Sequence, residues 1–244
     1  MARLDIELTV RGICKSRSQA QASIKESNVL LNGNICLKPN KEIKETDTLA
    51  LVQIPKYVSR GGDKLESAII SFGLGDLKDK VALDIGSSTG GFTDCLLQAG
   101  VSRVYAVDVG TAQLDPMLRS DPRVMVFEKT DIRSVKTLPE RVGIIVVDVS
   151  FISLEYIIPT LGHFIQPRAD IIALVKPQFE VGRGKVNRQG LVTDESLYAK
   201  VLEKISKSFI SHGFVVEKII DSPFLGGTGN REFLAHVSKK AIDK

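Results

Sequence analysis

Hydrophobic residues recur along this chain in two different rhythms, and the change between them falls near residue 58. The first part is short-period and helical. Leu4 and Leu8 share one face of a helix expected over residues 3–11, and Ala20 and Ile24 share the inner face of a second. That second helix is announced by Ser16, with Gln19 three residues later in capping-box spacing. Its other side repeats Arg17, Gln21 and Lys25 at every fourth position, an exposed stripe with two cations. Residues 29–37 set Asn32-Gly33 between apolar runs, which predicts a hairpin whose turn suits the twist of paired strands. Two helices and a hairpin make a small α+β module over residues 1–54.

Pro55 breaks the pattern, so residues 55–58 read as a linker and residues 59–244 as a second domain. There a helix is expected over residues 63–72, with Leu65, Ile69 and Phe72 facing inward. Near-continuous apolar runs predict strands at 81–85, 104–108, 124–127, 144–148, 171–176, 215–220 and 232–237. Helical stretches separate most of them, most clearly Leu197, Val201, Ile205 and Phe209 at intervals of four. Such alternation predicts an α/β domain with a largely parallel sheet covered on both faces.

Composition narrows the function. A chain of 244 residues that is 43% hydrophobic fills a real core. No run approaches the roughly 20 apolar residues of a membrane span, and the N-terminus lacks a signal-peptide core, so a cytoplasmic protein without a membrane partner is expected. Cys14, Cys36 and Cys95 are widely spaced, as are His163, His212 and His236, so neither a disulfide framework nor a metal site is expected. The net charge of +4 is unevenly distributed. Residues 1–60 hold ten Lys/Arg against six Asp/Glu, whereas the remainder balances. A basic front module suits a polyanionic partner.

The chemistry points to a group-transfer cofactor. The strand ending Asp84-Ile85 leads into Gly86-Ser87-Ser88-Thr89-Gly90-Gly91-Phe92 and then a helix, the arrangement that places a ligand at the carboxyl end of a parallel strand. The spacing is neither that of a dinucleotide fold nor that of a phosphate-binding P-loop. Asp84 stands where it would face the positive amino and sulfonium end of S-adenosylmethionine. Asp108, ending the next strand, suits ribose hydroxyls, and Asp131 suits the adenine amino group.

Two resemblances sharpen this. Arg3-Leu4-Asp5, Arg11-Gly12, Ser16-Arg17-Ser18-Gln19-Ala20 and Val29-Leu30-Leu31-Asn32-Gly33 resemble the S4-type RNA-binding domain. The likeness implies that Arg3, Arg11, Lys15, Arg17 and Lys25 contact RNA phosphates. The runs Arg60-Gly61-Gly62-Asp63-Lys64, Asp84 to Phe92, Asp148-Val149-Ser150-Phe151-Ile152-Ser153 and Val175-Lys176-Pro177-Gln178-Phe179-Glu180 resemble the TlyA family of ribosomal RNA 2'-O-methyltransferases, sometimes labelled haemolysins. Its methyltransferase domain is similar to the FtsJ/RrmJ type. The resemblance implies a Rossmann-like class I sheet of seven strands with an antiparallel last strand. It also implies S-adenosyl-L-methionine as donor and ribosomal RNA within ribosomal subunits as partner. The family's Lys-Asp-Lys-Glu tetrad falls on Lys64, Asp148, Lys176 and Glu232. Lys176 would take the ribose proton or stabilise the alkoxide, with Asp148 orienting it and Lys64 and Glu232 completing the charge network. Arg60 and the basic loop with Arg183, Lys185 and Arg188 are further expected RNA contacts, the loop being flexible. With twelve residues after Glu232, the family comparison favours cytidine in 23S RNA over 16S RNA. A membrane-active haemolysin and a non-catalytic RNA-binding protein are the alternatives.

Overall fold

The computed structural model describes residues 2–14, 16–25, 27–182 and 184–239. The front module comprises β1 (Ala2–Arg3), α1 (Leu4–Val10), α2 (Arg17–Lys25), β2 (Val29–Leu31), β3 (Asn34–Ile35), β4 (Glu42–Ile43) and β5 (Leu49–Leu51). Leu4, Leu8, Ala20, Ile24 and Val29 form its buried core, as their spacing requires. Ser16 Oγ accepts from Gln19 N at 3.2 Å, the cap that the sequence announces. Asn32 and Gly33 both take positive φ, 50° and 79°, and pair Leu31 with Asn34. This is the turn that matches strand twist.

The second domain follows as α3 (Arg60–Phe72), β6 (Val81–Ile85), α4 (Gly91–Gln98), β7 (Arg103–Val107), α5 (Pro116–Ser120), β8 (Val124–Phe127), β9 (Val142–Val147), α6 (Ile158–Phe164), β10 (Ile165–Val175), α7 (Pro177–Glu180), α8 (Ser196–Ser211), β11 (Phe214–Asp221) and β12 (Phe233–Lys239). The seven strands from β6 onward form one sheet in the order β11-β12-β10-β9-β6-β7-β8, with β12 antiparallel to both neighbours. The Rossmann-like sheet with its reversed last strand is therefore present. Alternate residues serve opposite faces: Ile145 and Val147 of β9 join one core, Ile144 and Val146 the other. That double burial is why the strands read as unbroken apolar runs.

Beyond shifts of one or two residues at strand ends, three departures from expectation have a local cause. α3 begins at Arg60, three residues early, because Gly61-Gly62 lie within its first turn instead of preceding it. β10 starts at Ile165, and its register shifts between Ile165 and Asp170. Pro167 and Arg168, the latter at φ 60°, hide that half-strand from any periodicity. Tyr57 and Val58, expected in the linker, are buried in the core beneath α3 and α4. Val58 N donates to Asp94 Oδ2 at 2.9 Å.

Candidate active site

The candidate rim is assembled by strand direction. β6, β9 and β10 run parallel and end together, at Ile85, Val147 and Val175. β12 runs the other way and begins there, Phe233 pairing with Val175. Asp148, Lys176 and Glu232 are the residues just beyond those ends, so topology brings them to one edge. Lys64 arrives from the second turn of α3.

Close backbone packing sets the height of α3. A Cβ on Gly91 would stand 2.3 Å from Ser59 Oγ and 2.9 Å from Gly62 N. One on Gly62 would stand 2.2 Å from Tyr57 Cγ. The first turns of α3 and α4 therefore meet with no room for a side chain at Gly91, while the Tyr57 ring fills the space that one at Gly62 would need.

The four ionisable residues resolve into two ion pairs. Lys64 Nζ lies 2.6 Å from Glu232 Oε2, with the side chains only 10% and 3% exposed. Lys176 Nζ lies 2.6 Å from Asp148 Oδ1 and donates to Ser150 Oγ at 2.8 Å. This second pair is more open, at 13% and 25%. Glu180 fastens the two loops that carry it: its carboxylate accepts from Ser153 Oγ at 2.5 Å and from Leu154 N at 2.9 Å. Neither Glu180 nor Ser150 stands out in the sequence, since each is one polar residue within a motif of several.

Two cavities meet at this rim. The larger, about 560 Å³, is lined by Gly86, Ser88, Asp108, Asp131, Ile132 and Phe151 among others. The smaller, about 210 Å³, is lined by Arg60, Lys64, Ser87, Thr89, Gly91 and Phe92 among others. Gly86, Ser88 and Asp148 belong to both walls. Gly90 lines neither, and Phe92 packs chiefly into the core below the loop.

The acids differ in what they hold. Asp108 Oδ2 accepts from Ser88 N at 2.8 Å and Oδ1 from Gly110 N at 2.7 Å, tying the glycine loop to the end of β7. A carboxylate has about four acceptor sites, so half its capacity remains for a ligand. Asp131 accepts from Arg133 N at 2.9 Å and pairs with the same residue's guanidinium, Nη2 to Oδ2 at 2.5 Å. Arg133 thus joins the cavity wall, a residue that no motif in the sequence singles out.

Asp84 occupies a different place from the one its spacing suggests. It is fully buried and lines neither cavity. Oδ2 accepts from Thr93 Oγ1 at 2.6 Å, and Oδ1 has no hydrogen-bond partner among the described residues. Burial pushes the carboxyl up to about 7, against the opposing Thr93 hydrogen bond. Between pH 3.8 and about 7 the native state therefore keeps a proton that the unfolded chain has lost, and stability falls as pH rises through that window. Asp84→Asn is expected to flatten this fall. Thermal melts of the ligand-free chain at pH 5 and pH 8 check it, and a pH difference as large as the wild type's contradicts it.

In the front module, Arg3, Arg17 and Gln21 all reach the carboxylate of Asp5. Arg11 is engaged internally, bonding Glu7 Oε2 at 2.8 Å and donating to Asp47 O at 2.7 Å. Lys25 is exposed, and so are Lys185 and Arg188. The loop carrying the latter two is folded around Asn187, whose Oδ1 accepts from Gln189 N and Leu191 N, both at 2.9 Å. Lys15 and Arg183 lie outside the described residues. Phe151, unassigned by the sequence, is 92% exposed at φ 64° on the wall of the larger cavity, its ring 5.1 Å from that of Phe179.

Residues 57–239 match the FtsJ-like methyltransferase family, and residues 2–49 match the S4 domain. The 16S/23S rRNA (cytidine-2'-O)-methyltransferase TlyA of Mycobacterium tuberculosis is 39% identical over 236 residues, covering 95% of this chain and 88% of that protein. The chain belongs to the TlyA family. YqxC of Bacillus subtilis is 44% identical over 242 residues, covering 96% of this chain and 85% of its own. A solved structure named as a haemolysin, from Streptococcus thermophilus, superposes with a TM-score of 0.78 at 40% identity, covering 98% of this chain and 88% of that one. TlyA-type sequence thus runs through both domains, and the match to the methyltransferase part begins at Tyr57, the first buried residue of the segment expected to be the linker. Among the described residues no helix is long and apolar enough to cross a membrane, and no His/Cys/Asp/Glu group is placed to hold a metal ion.

Proposed function

We propose that this chain is an S-adenosylmethionine-dependent ribosomal RNA 2'-O-methyltransferase acting on a cytidine, with 23S RNA in the large subunit the favoured substrate. One observation carries the reading: Asp148, the partner of Lys176, stands on the wall shared by the two cavities.

The larger cavity suits the donor. Its volume of about 560 Å³ falls in the range of roughly 300–1,000 Å³ usual for small-ligand sites. Val109, Ile132 and Ile157 supply apolar wall for a purine, with Asp108 and Asp131 as its acceptors. When bound, the donor supplies a methyl group on a positively charged sulfur, open to attack by oxygen. Asp108 would hold the ribose hydroxyls and Asp131 the adenine amino group.

The chain's own residues do the rest. Lys176 Nζ has three N–H donors: Ser150 Oγ takes one as a hydrogen bond, and the 2.6 Å ion pair with Asp148 faces a second. The third is left for the target 2'-oxygen. Paired with Asp148, the ammonium stabilises negative charge that grows on this oxygen as its proton leaves to water. The nearly buried Lys64–Glu232 pair holds Lys64 in the wall of the smaller cavity. Phe151, apolar and presented to solvent in a strained backbone conformation, is suited to stack on an unstacked base. Arg60, Lys185 and Arg188 near the rim, with Arg3, Arg17 and Lys25 in the front module, supply cations for RNA phosphates.

The test offers methyl-labelled donor and each isolated, unmethylated ribosomal subunit separately to the purified chain. Label is expected on a cytidine ribose of 23S RNA. Label in 16S RNA of small subunits overturns the preference for 23S, and label on a base or on neither RNA overturns the reaction.

A further inference from the structure

Asp5 is the only acid in the front module whose side chain is fully buried among the described residues, and it is surrounded by the cations proposed to meet RNA. Its Oδ1 accepts from Arg3 Nε at 2.9 Å. Its Oδ2 accepts from Arg3 Nη2 at 3.1 Å, Arg17 Nε at 3.0 Å and Gln21 Nε2 at 2.7 Å. Arg3 therefore docks as a fork on one edge of its guanidinium, and Arg17 is fixed through its Nε. The side chains remain 43% and 54% exposed, and Arg3 Nη1 and both Nη groups of Arg17 make no bond to Asp5. The Arg3 guanidinium holds the Asp5 carboxyl well below the usual carboxylate range, so the anion persists at any working pH.

This arrangement is the reverse of what simple attraction to a polyanion requires. A surface built only to attract RNA keeps every cation unpaired and mobile. Here one negative charge is buried between two positive ones, which halves their net charge and removes their rotamer freedom. Loss of attraction is exchanged for two planar donor sets held in a fixed mutual geometry. Only an RNA whose phosphates are themselves held in a matching geometry gains from that exchange.

We infer that Asp5 is a specificity-determining residue, which positions Arg3 and Arg17 as a rigid pair for the phosphates of folded RNA and weakens binding to unstructured strands. The inference rests on the reading of Arg3 and Arg17 as phosphate contacts.

The test measures binding of the full chain across salt concentrations to unmethylated ribosomal subunits, large and small separately, and to polyuridylate as an unstructured strand. Asp5→Asn is expected to weaken binding to the substrate subunit about tenfold, raising KM while kcat at saturation stays unchanged. Its affinity for polyuridylate is expected to hold or rise, with the salt slope steeper by about 0.7, one further counterion released from a single strand. Arg17→Lys keeps the charge but lacks the fork, and is expected to lose subunit affinity while retaining polyuridylate. It decides the matter alone should Asp5→Asn fail to fold. The effect of Asp5→Asn is expected to vanish in an Arg3→Ala/Arg17→Ala background, because Asp5 acts through those two residues.

Equal losses on both RNAs, accompanied by a lower melting temperature, would make Asp5 merely structural and overturn the inference. If the double arginine variant weakens subunit binding while Asp5→Asn and Arg17→Lys do not, the phosphate contacts stand and the role of Asp5 falls. If the double variant binds subunits as the wild type does, the phosphate reading itself fails, and the inference with it.

Discussion

Lys176→Met is expected to lower the rate of methyl transfer by about 10²–10⁴-fold, with donor affinity unchanged. The expected fall follows from the proposed role, since the substitution removes the donor assigned to the 2'-oxygen together with the positive charge assigned to stabilise it. Donor affinity is spared because Lys176 reaches the shared wall only through Asp148. A fall in melting temperature is expected beside the loss of rate, because the side chain of Asp148 is a quarter exposed but its Oδ1, which faces Lys176, is buried and loses its ion-pair partner. Lys176→Arg separates the two roles a lysine can play here: a guanidinium keeps the charge and the donors but cannot take a proton. Partial activity in Lys176→Arg supports stabilisation of the alkoxide, and activity as low as in Lys176→Met assigns proton acceptance instead. Single-turnover rates at saturating ribosomal subunit, with donor binding measured by calorimetry, give both numbers. A wild-type rate in folded Lys176→Met removes the residue from the reaction.

Most of the architecture was legible because the sheet is buried on both faces. Strands such as 144–148 announced themselves as unbroken apolar runs, and the observed β9 (Val142–Val147) differs from that span by two residues at the start and one at the end. What escaped was local geometry that carries no period. The first half of β10 passes through Pro167 and a left-handed Arg168, and the start of α3 is made of glycines that packing, not propensity, turns into helix. The site divides in the same way. Residues at strand ends, Asp108, Asp148 and Lys176, could be placed by the rule that parallel strands deliver their ligands at the carboxyl edge. Asp84 could not, because whether a residue one position from a strand end points into the cavity or into the core depends on the pleat. Thr93, which captures its carboxylate, lies on the next helix. The partners of charged residues were equally invisible. Asp5 and Arg133 decide what Arg3, Arg17 and Asp131 are free to do, and such pairing is set by tertiary contact, not by spacing alone.

Gly86→Ala is expected to cost about 2–4 kcal/mol of stability and, unlike Lys176→Met, to abolish donor binding along with turnover. Gly86 sits at φ 86°, where an L-residue is strained by about 1–2 kcal/mol. A Cβ there would stand 2.3 Å from the carbonyl oxygen of Asp148, a backbone atom that cannot rotate away. Hydrogen bonds hold both sides of the contact: Gly86 N donates to Val107 O at 2.8 Å, and Asp148 N donates to Ile85 O at 2.9 Å. Relief must therefore break one of two arrangements. If the glycine loop retreats, Ser88 N leaves Asp108 and the larger cavity loses the wall that Gly86 and Ser88 supply. If the β9 end retreats, Asp148 carries Lys176 away from the shared wall. Gly75 provides the control, since a Cβ there meets nothing within 4 Å and its backbone is not left-handed. Gly75→Ala should melt, bind donor and turn over as the wild type does. A Gly86→Ala protein that matches it in all three would mean that the close approach of the glycine loop to Asp148 is incidental, and that the two cavities are not held in register by this contact.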